Sequence, residues 1–286
     1  YDTRKNEINP TNKHCKIKTF FYLIMKMKLY LPIVLVLALF ITACEIINPE
    51  EDIPSFIKIN HFEHADVGTA KIVDAWLYVN NDLQGIYSLP NTIPVLKNGK
   101  QNLYISPGIK ENGISASRTN YPFYVWHQQE VNLTPLDTIH ITPSTSYISN
   151  CVQWEENFNG AGSSFHQNLF KYGVDMISDT SVMTTGGYGE IILDGEKIRF
   201  ECTTDPMFLP KDRRVYLEMD YRCNTPFLLN LYKFSPTYAT PNTVMLLNEQ
   251  EEWNKIYIYF SELIAPHTDA NDFAFSFLMF KDSALA

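Results

Sequence analysis

Lys71-Ile72-Val73-Asp74-Ala75-Trp76-Leu77-Tyr78-Val79-Asn80, with Asn81-Asp82 behind it, is the stretch from which the fold of this chain can be read. Successive side chains on a strand point to opposite faces, so Val73, Ala75, Leu77 and Val79 line one face. Asp74, Trp76 and Tyr78 line the other. A period of two among β-branched and aromatic residues predicts a strand. Asn80-Asn81-Asp82 is a turn cluster that leads into a second strand over 84–89.

The same punctuation recurs outward from this stretch. Residues 56–60 open the set upstream. Downstream, Pro90 and Pro94 flank Ile93, and Asn98-Gly99 is a tight-turn dipeptide expected between strands at 93–96 and 101–106. Pro107-Gly108 marks a further turn, and strands at 121–127, 130–133 and 138–142 complete a β-sandwich domain over 56–143. Pro143 to Tyr147 reads as a connection, and a second β-sandwich domain is expected over 148–286. Its clearest hairpin pairs 189–193 with 196–202 around Asp194-Gly195. Strands follow at 214–222, 226–233, 244–247, 255–262 and 273–280. Segments 227–231 and 273–280 are apolar on both faces and should lie centrally. Residues 159–164 read as a Gly/Ser loop, and 165–172 as one or two helical turns. The expected fold class is all-β.

Ahead of these domains lies a leader. Met25-Lys26-Met27-Lys28, an apolar core over 29–41 and a small-residue exit have the layout of a secretory signal peptide. The core is shorter than the roughly 20 residues a spanning helix needs. Its end, Ile41-Thr42-Ala43-Cys44, resembles a bacterial lipobox, in which the cysteine thiolate takes a diacylglyceryl group. Cys44 is therefore the expected lipidation site, and the lipid bilayer the expected partner. One acyl chain binds a membrane only marginally, whereas two or three make a stable anchor. Residues 1–24 read as an upstream extension with translation starting at Met25 or Met27, 25–43 as the signal peptide, and 44–55 as an acidic tether.

Of 23 basic residues seven precede Cys44, but of 32 acidic residues only two do, so the chain from Cys44 onward carries a net charge of −14. That argues against a nucleic-acid partner, whose phosphates need Lys and Arg. Beyond Cys44 three cysteines remain, Cys151, Cys202 and Cys223; an odd number rules out a complete disulfide framework. Cys202 and Cys223 sit on neighbouring predicted strands, but disulfide geometry is strict, and buried free thiols are expected.

Asp74 to Val79, Gly85-Ile86-Tyr87-Ser88-Leu89-Pro90, Pro107 to Ile114 and Tyr121-Pro122-Phe123-Tyr124 resemble the N-terminal module of surface lipoproteins of the Bacteroidota. Tyr216 to Tyr221 and Trp253 to Ile258 are similar to their C-terminal part. The resemblance implies an Ig-like or transthyretin-like first sandwich, a jelly-roll-like second one of carbohydrate-binding type, and an outer-membrane location on the periplasmic face or the cell surface. It implies no activity. In such lipoproteins a short acidic run after the cysteine resembles a surface-export signal; Glu50-Glu51-Asp52 is either that or a solvated linker.

Catalytic motifs are absent: there is no Gly-x-Ser-x-Gly, His-Glu-x-x-His, Cys-x-x-Cys or Walker-type loop. Trp76, Tyr78, Trp126, Trp154 and Trp253 are the candidate ligand contacts, since aromatic faces stack on sugar C–H surfaces. Glu155, Glu156 and Asp272 are candidate ligands for a structural calcium, which takes hard oxygen donors and which carbohydrate-binding jelly-rolls carry near such edges. Glu218, Asp220 and Arg222 share a strand face; as acids two residues apart they fit a glycosidase pair or, more simply, a face with local ion pairing. The expected function is non-enzymatic binding or assembly at the outer membrane, with a glycan or an envelope protein as partner and the second domain as recognition module. A glycan-active hydrolase and a purely architectural component are the alternatives.

Overall fold

The computed structural model describes residues 52–66, 68–159, 163–167, 177–179, 187–193, 199–235, 239–270 and 272–281. Cys44, the lipobox, the tether through Glu51, the Asp194-Gly195 turn and residues 168–172 lie outside them. Pro54–Ala286 forms one compact unit. The regular structure of the described residues is strand, as the alternation predicts, apart from one helical turn at Ser261–Ile264. None of their helices is long and apolar enough to cross a membrane.

The first half runs β1 (Ser55–Ile59), β2 (Glu63–His64), β3 (Asp74–Val79), β4 (Asp82–Ser88), β5 (Asn91–Val95), β6 (Gly99–Lys110), β7 (Arg118–Asn120), β8 (His127–Leu133), β9 (Thr138–Ile141) and β10 (Ser144–Thr145). One sheet has the order β4-β3-β6, with β7 and β8 sharing the far edge of β6; the other is β5-β1-β9, with β1 parallel to β9. Ala75, Leu77, Val79, Leu103, Ile105 and Leu133 from the first sheet and Ile57, Ile59, Ile93, Val95 and Ile141 from the second form one core. Each Val, Leu or Ile side chain among them contributes about 1.5–3 kcal/mol by leaving water.

Val79 pairs with Asp82, so Asn80 and Asn81 are the two-residue loop of the β3–β4 hairpin. Their φ values of 50° and 71° are those of a type I′ turn, which suits the twist of the flanking strands and which Asn tolerates.

Asn98-Gly99 does turn the chain, with φ +71° at Gly99, but it does not close the expected hairpin. β5 pairs with β1 and β6 with β3, so the dipeptide carries the chain from one sheet to the other. Ile93 and Val95 thereby meet Leu103 and Ile105 across the core. Pro107-Gly108 is not a turn either, because β6 runs straight through it. The glycine is needed for close approach: a Cβ on Gly108 would stand 2.8 Å from Cβ of Asp74 and 3.0 Å from Nε1 of Trp76. Gly108→Ala should therefore lower stability by about 1–3 kcal/mol through overpacking, read as a lower urea midpoint; an unchanged midpoint would show that the sheet yields there freely. Residues 121–126 are not the expected strand, and β8 begins at His127. Tyr121 and Tyr124 are buried in this turn instead.

The second half runs β11 (Phe165–Gln167), β12 (Ile177–Asp179), β13 (Tyr188–Glu190), β14 (Arg199–Thr204), β15 (Met207–Phe208), β16 (Tyr216–Cys223), β17 (Phe227–Phe234), β18 (Ala239–Leu247), β19 (Gln250–Tyr259) and β20 (Asp272–Phe280). A sheet of order β11-β14-β20-β17-β18, with β15 also against β20, shares a core with the pair β16-β19. The two segments apolar on both faces, β17 and β20, are central in it. Phe227, Leu229, Leu231, Phe273 and Phe275 meet Tyr221, Ile256 and Ile258 there.

Two expectations fail in this half. The arms of the predicted Asp194-Gly195 hairpin do not pair among the described residues: β13 pairs with β12, and β14 lies between β11 and β20. Phe165–Gln167 is strand rather than helix, because Phe165 packs on Phe277 at 5.3 Å between ring centroids and draws the chain to the sheet edge. Cys151, Cys202 and Cys223 are free. Burial pushes the Cys202 thiol up to about 12, so it is unreactive as a nucleophile.

The two sandwiches meet around tyrosines. Tyr121, Tyr124 and Tyr257 are buried with Ile109, and Tyr147 and Tyr216 pack against them. Asn112 donates its backbone N–H to Tyr257 O at 2.7 Å and accepts from Tyr259 N–H at 2.9 Å through Oδ1, so the chain after β6 is stitched to β19. Ser144 and Thr145, expected in a connection, pair with β2, and Thr145 is buried.

Candidate functional site

β3 turns Trp76 and Tyr78 away from the core, as its alternation requires. Cross-strand pairing gives each of them neighbours on the same face. Trp76 stands between Ile86 and Ser106, and Tyr78 between Leu83 and Tyr104, with Gln128 beyond Tyr104. Trp126, in the segment just before β8, lies over this face and stacks on Tyr78, with ring centroids 5.2 Å apart and planes at 23°. Trp126 is 37% exposed, Leu83 50% and Ile86 46%, so the face is open to solvent.

Polar groups are set into it. Trp76 Nε1 and Ser106 Oγ are both buried without a hydrogen-bond partner. The outward acid at the end of the face, Asp74, is closed off: it is buried, pairs with Arg118 and accepts from Ser88 Oγ at 3.2 Å. The arrangement therefore offers flat aromatic area with an apolar rim. That suits stacking against a sugar ring better than proton transfer.

The other candidate residues lie elsewhere. Trp154 is exposed in the loop before β11 and meets Phe165 edge-on at 6.4 Å. Trp253 on β19 lies beside Tyr188 at 5.9 Å and under the Arg222 guanidinium at 5.5 Å, a cation–π contact. Glu155 is exposed, whereas Glu156 accepts N–H bonds from Phe158 at 2.7 Å and Ser164 at 2.5 Å. These bonds hold its carboxyl below the ordinary value despite the opposing effect of burial. Asp272 is exposed at the start of β20, opposite Phe208 and Phe234. Among the described residues no three His, Cys, Asp or Glu side chains come together as a metal site.

Glu218 and Asp220 do share a face, but their oxygens are committed internally. Glu218 accepts from Tyr121 Oη at 2.6 Å and Tyr147 Oη at 2.7 Å, and pairs with Lys255 Nζ at 2.9 Å. Asp220 accepts from Thr69 Oγ1 at 2.6 Å and lies 3.6 Å from Lys255 Nζ. The pair binds the two sandwiches together.

Two features escaped the sequence. Tyr104 belongs to the aromatic face, and its alternation with Leu103 and Ile105 was the signal for it. A cleft lined by Lys71 and Lys110 had no signal, since Lys71 lies just before β3 and Lys110 ends β6, and no local pattern reveals that the two come together. No protein-family model matches the chain, and no curated protein matches it.

Proposed function

We propose that this protein is a lipoprotein anchored to the outer membrane through Cys44, acting as a non-enzymatic glycan-binding module on the periplasmic face or the cell surface. The observation that carries the binding part is the stacked Tyr78–Trp126 pair with Trp76 on the same open face. The geometry favours the first sandwich as recognition module, where the sequence pointed to the second. The anchoring part is supported by Ile41-Thr42-Ala43-Cys44 behind its basic head and apolar core.

A glycan array probed with the full chain should give binders, and Trp126→Ala should weaken them about tenfold, the equivalent of 1.4 kcal/mol and the scale of one aromatic contact. Binders whose affinity ignores Trp126→Ala would move the site elsewhere, and an array without binders would favour an envelope protein as partner. For the anchor, incorporation of labelled fatty acid should vanish in Cys44→Ala. Label retained in that variant would end the lipoprotein reading.

A further inference from the structure

A second opening lies where the two sandwiches meet. It is a cleft of about 280 Å³ whose lining includes Lys71, Lys110, Asn112, Gln250, Asn254 and Lys255. Among the described residues no carboxylate lines it, in a chain whose net charge is −9. Lys255 is neutralised by Glu218 and Asp220 at the edge of the tyrosine junction. Lys71 has only the neutral Asn254 Oδ1 as side-chain partner, and Lys110 has no acidic partner among the described residues. The cleft therefore holds two ammonium groups that the fold does not compensate. Desolvation, and then the charge of Lys110, hold the Lys71 ammonium below the ordinary lysine value.

One neighbouring amide is oriented to match. Asn254 is committed at both ends, its Oδ1 to the Lys71 ammonium and its amide nitrogen to the Tyr221 oxygen, but Asn112 Oδ1 is occupied by Tyr259 N–H, so Asn112 keeps its amide nitrogen as a donor. The lining thus offers a donor beside its lysines, and its charge is positive. Like charges placed together in a partly dry cleft cost stability unless something negative joins them.

We propose that this cleft binds the acidic group of a sugar acid, its carboxylate or sulfate between Lys71 and Lys110 and a hydroxyl on the amide nitrogen of Asn112. The cleft is near the lower size limit of small-ligand sites and accommodates one ring. The inference rests on the glycan-binding reading only for the sugar part of the ligand; the anion part stands on the cleft alone.

The test is a calorimetric titration of the full chain with D-glucuronate, D-glucose and inorganic sulfate, repeated with Lys71→Gln and Lys110→Gln. Both lysines are at the cleft surface, and circular dichroism verifies that the variants fold. Glucuronate should bind at least tenfold more tightly than glucose, lose tenfold or more in each variant, and weaken with added salt. Sulfate binding as tightly as glucuronate would overturn the assignment to a sugar. Glucuronate binding unchanged in both variants, or absent from the parent protein, would overturn the cleft. Binding that survives both lysine changes but falls in Trp126→Ala would do the same, while leaving the aromatic face standing. A glucuronate response lost in the lysine variants beside an empty neutral-glycan array would support the cleft and remove the aromatic face.

Discussion

Glu218→Ala should cost this protein about 3 kcal/mol or more of folding stability, a large fraction of what a domain has. The Glu218 side chain is 18% exposed and that of Lys255 10%, so the pair is largely out of water. Removing the carboxylate leaves the hydroxyls of Tyr121 and Tyr147 without their acceptor and the Lys255 ammonium with only Asp220, 3.6 Å away, at once. Each abandoned buried group carries its own desolvation cost, and the ammonium left with the more distant Asp220 is the most expensive of them. Denaturant unfolding with matched m-values is the measurement. Glu218→Gln, which can still accept from one tyrosine, should fall between parent and alanine variant. The double variant Glu218→Leu/Lys255→Met should recover part of the loss, because it removes both charges together. A Glu218→Ala midpoint equal to the parent's would mean that the tyrosine junction holds without its carboxylate.

The second large effect is alkaline unfolding. Tyr121, Tyr124 and Tyr257 are 1%, 2% and 1% exposed, and their phenols titrate far above the ordinary value of 10.0. Burial is the largest cause in all three. The charge of Glu218 comes next for Tyr121 and Tyr124, and the neighbouring Tyr124 phenol for Tyr257. These groups are neutral acids whose folded value is raised, so their contribution is whole below pH 10. It is lost as pH rises above 10, where the unfolded chain releases protons that the folded chain retains. Three such phenols remove on the order of 4 kcal/mol per pH unit above 10. Tyr147 and Tyr216 are raised for the same first reason, burial, and add less because they are partly exposed. A protein of ordinary stability should therefore collapse within about two pH units of 10. Phenolate absorbance at 295 nm should rise in a step steeper than a one-proton curve and coincide with loss of near-ultraviolet dichroism. A shallow titration with dichroism intact through pH 12 would contradict it.

Much of the all-β architecture was legible because half-buried strands write their faces into the sequence. Ala75, Leu77 and Val79 against Trp76 and Tyr78 is such a case, and Asn80-Asn81 supplied the turn chemistry beside it. Pairing was not legible in the same way. A turn dipeptide states that the chain reverses, not which strands will lie side by side, so Asn98-Gly99 suggested a hairpin that the sheets do not make. Pro107-Gly108 misled for a related reason: a glycine that admits a neighbouring strand looks the same as one that bends the chain. The site depends on longer reach still. Tyr121 meets Glu218 across 97 positions and Tyr147 meets it across 71, and no local window carries such a contact. Trp126 likewise comes to Tyr78 from outside any regular strand, where period-two reasoning has nothing to say. Lys71 and Lys110, unremarkable on their own segments, become a positively charged pair only once the segment before β3 is set beside the end of β6.

The placement of β1 bears on what happens when the molecule is pulled. β1 opens the compact unit that begins at Pro54 and is the middle strand of β5-β1-β9, bonded along both edges. Tension applied through the chain ahead of Ser55 would act along that strand. It would load the hydrogen bonds of both edges together in shear, with Ile57 and Ile59 still locked in the core. Strands peeled from an edge give way one bond at a time; a central strand drawn lengthwise does not. Drawing Ser55–Ile59 out of the sandwich therefore breaks two edges of pairing where an outer strand would break one.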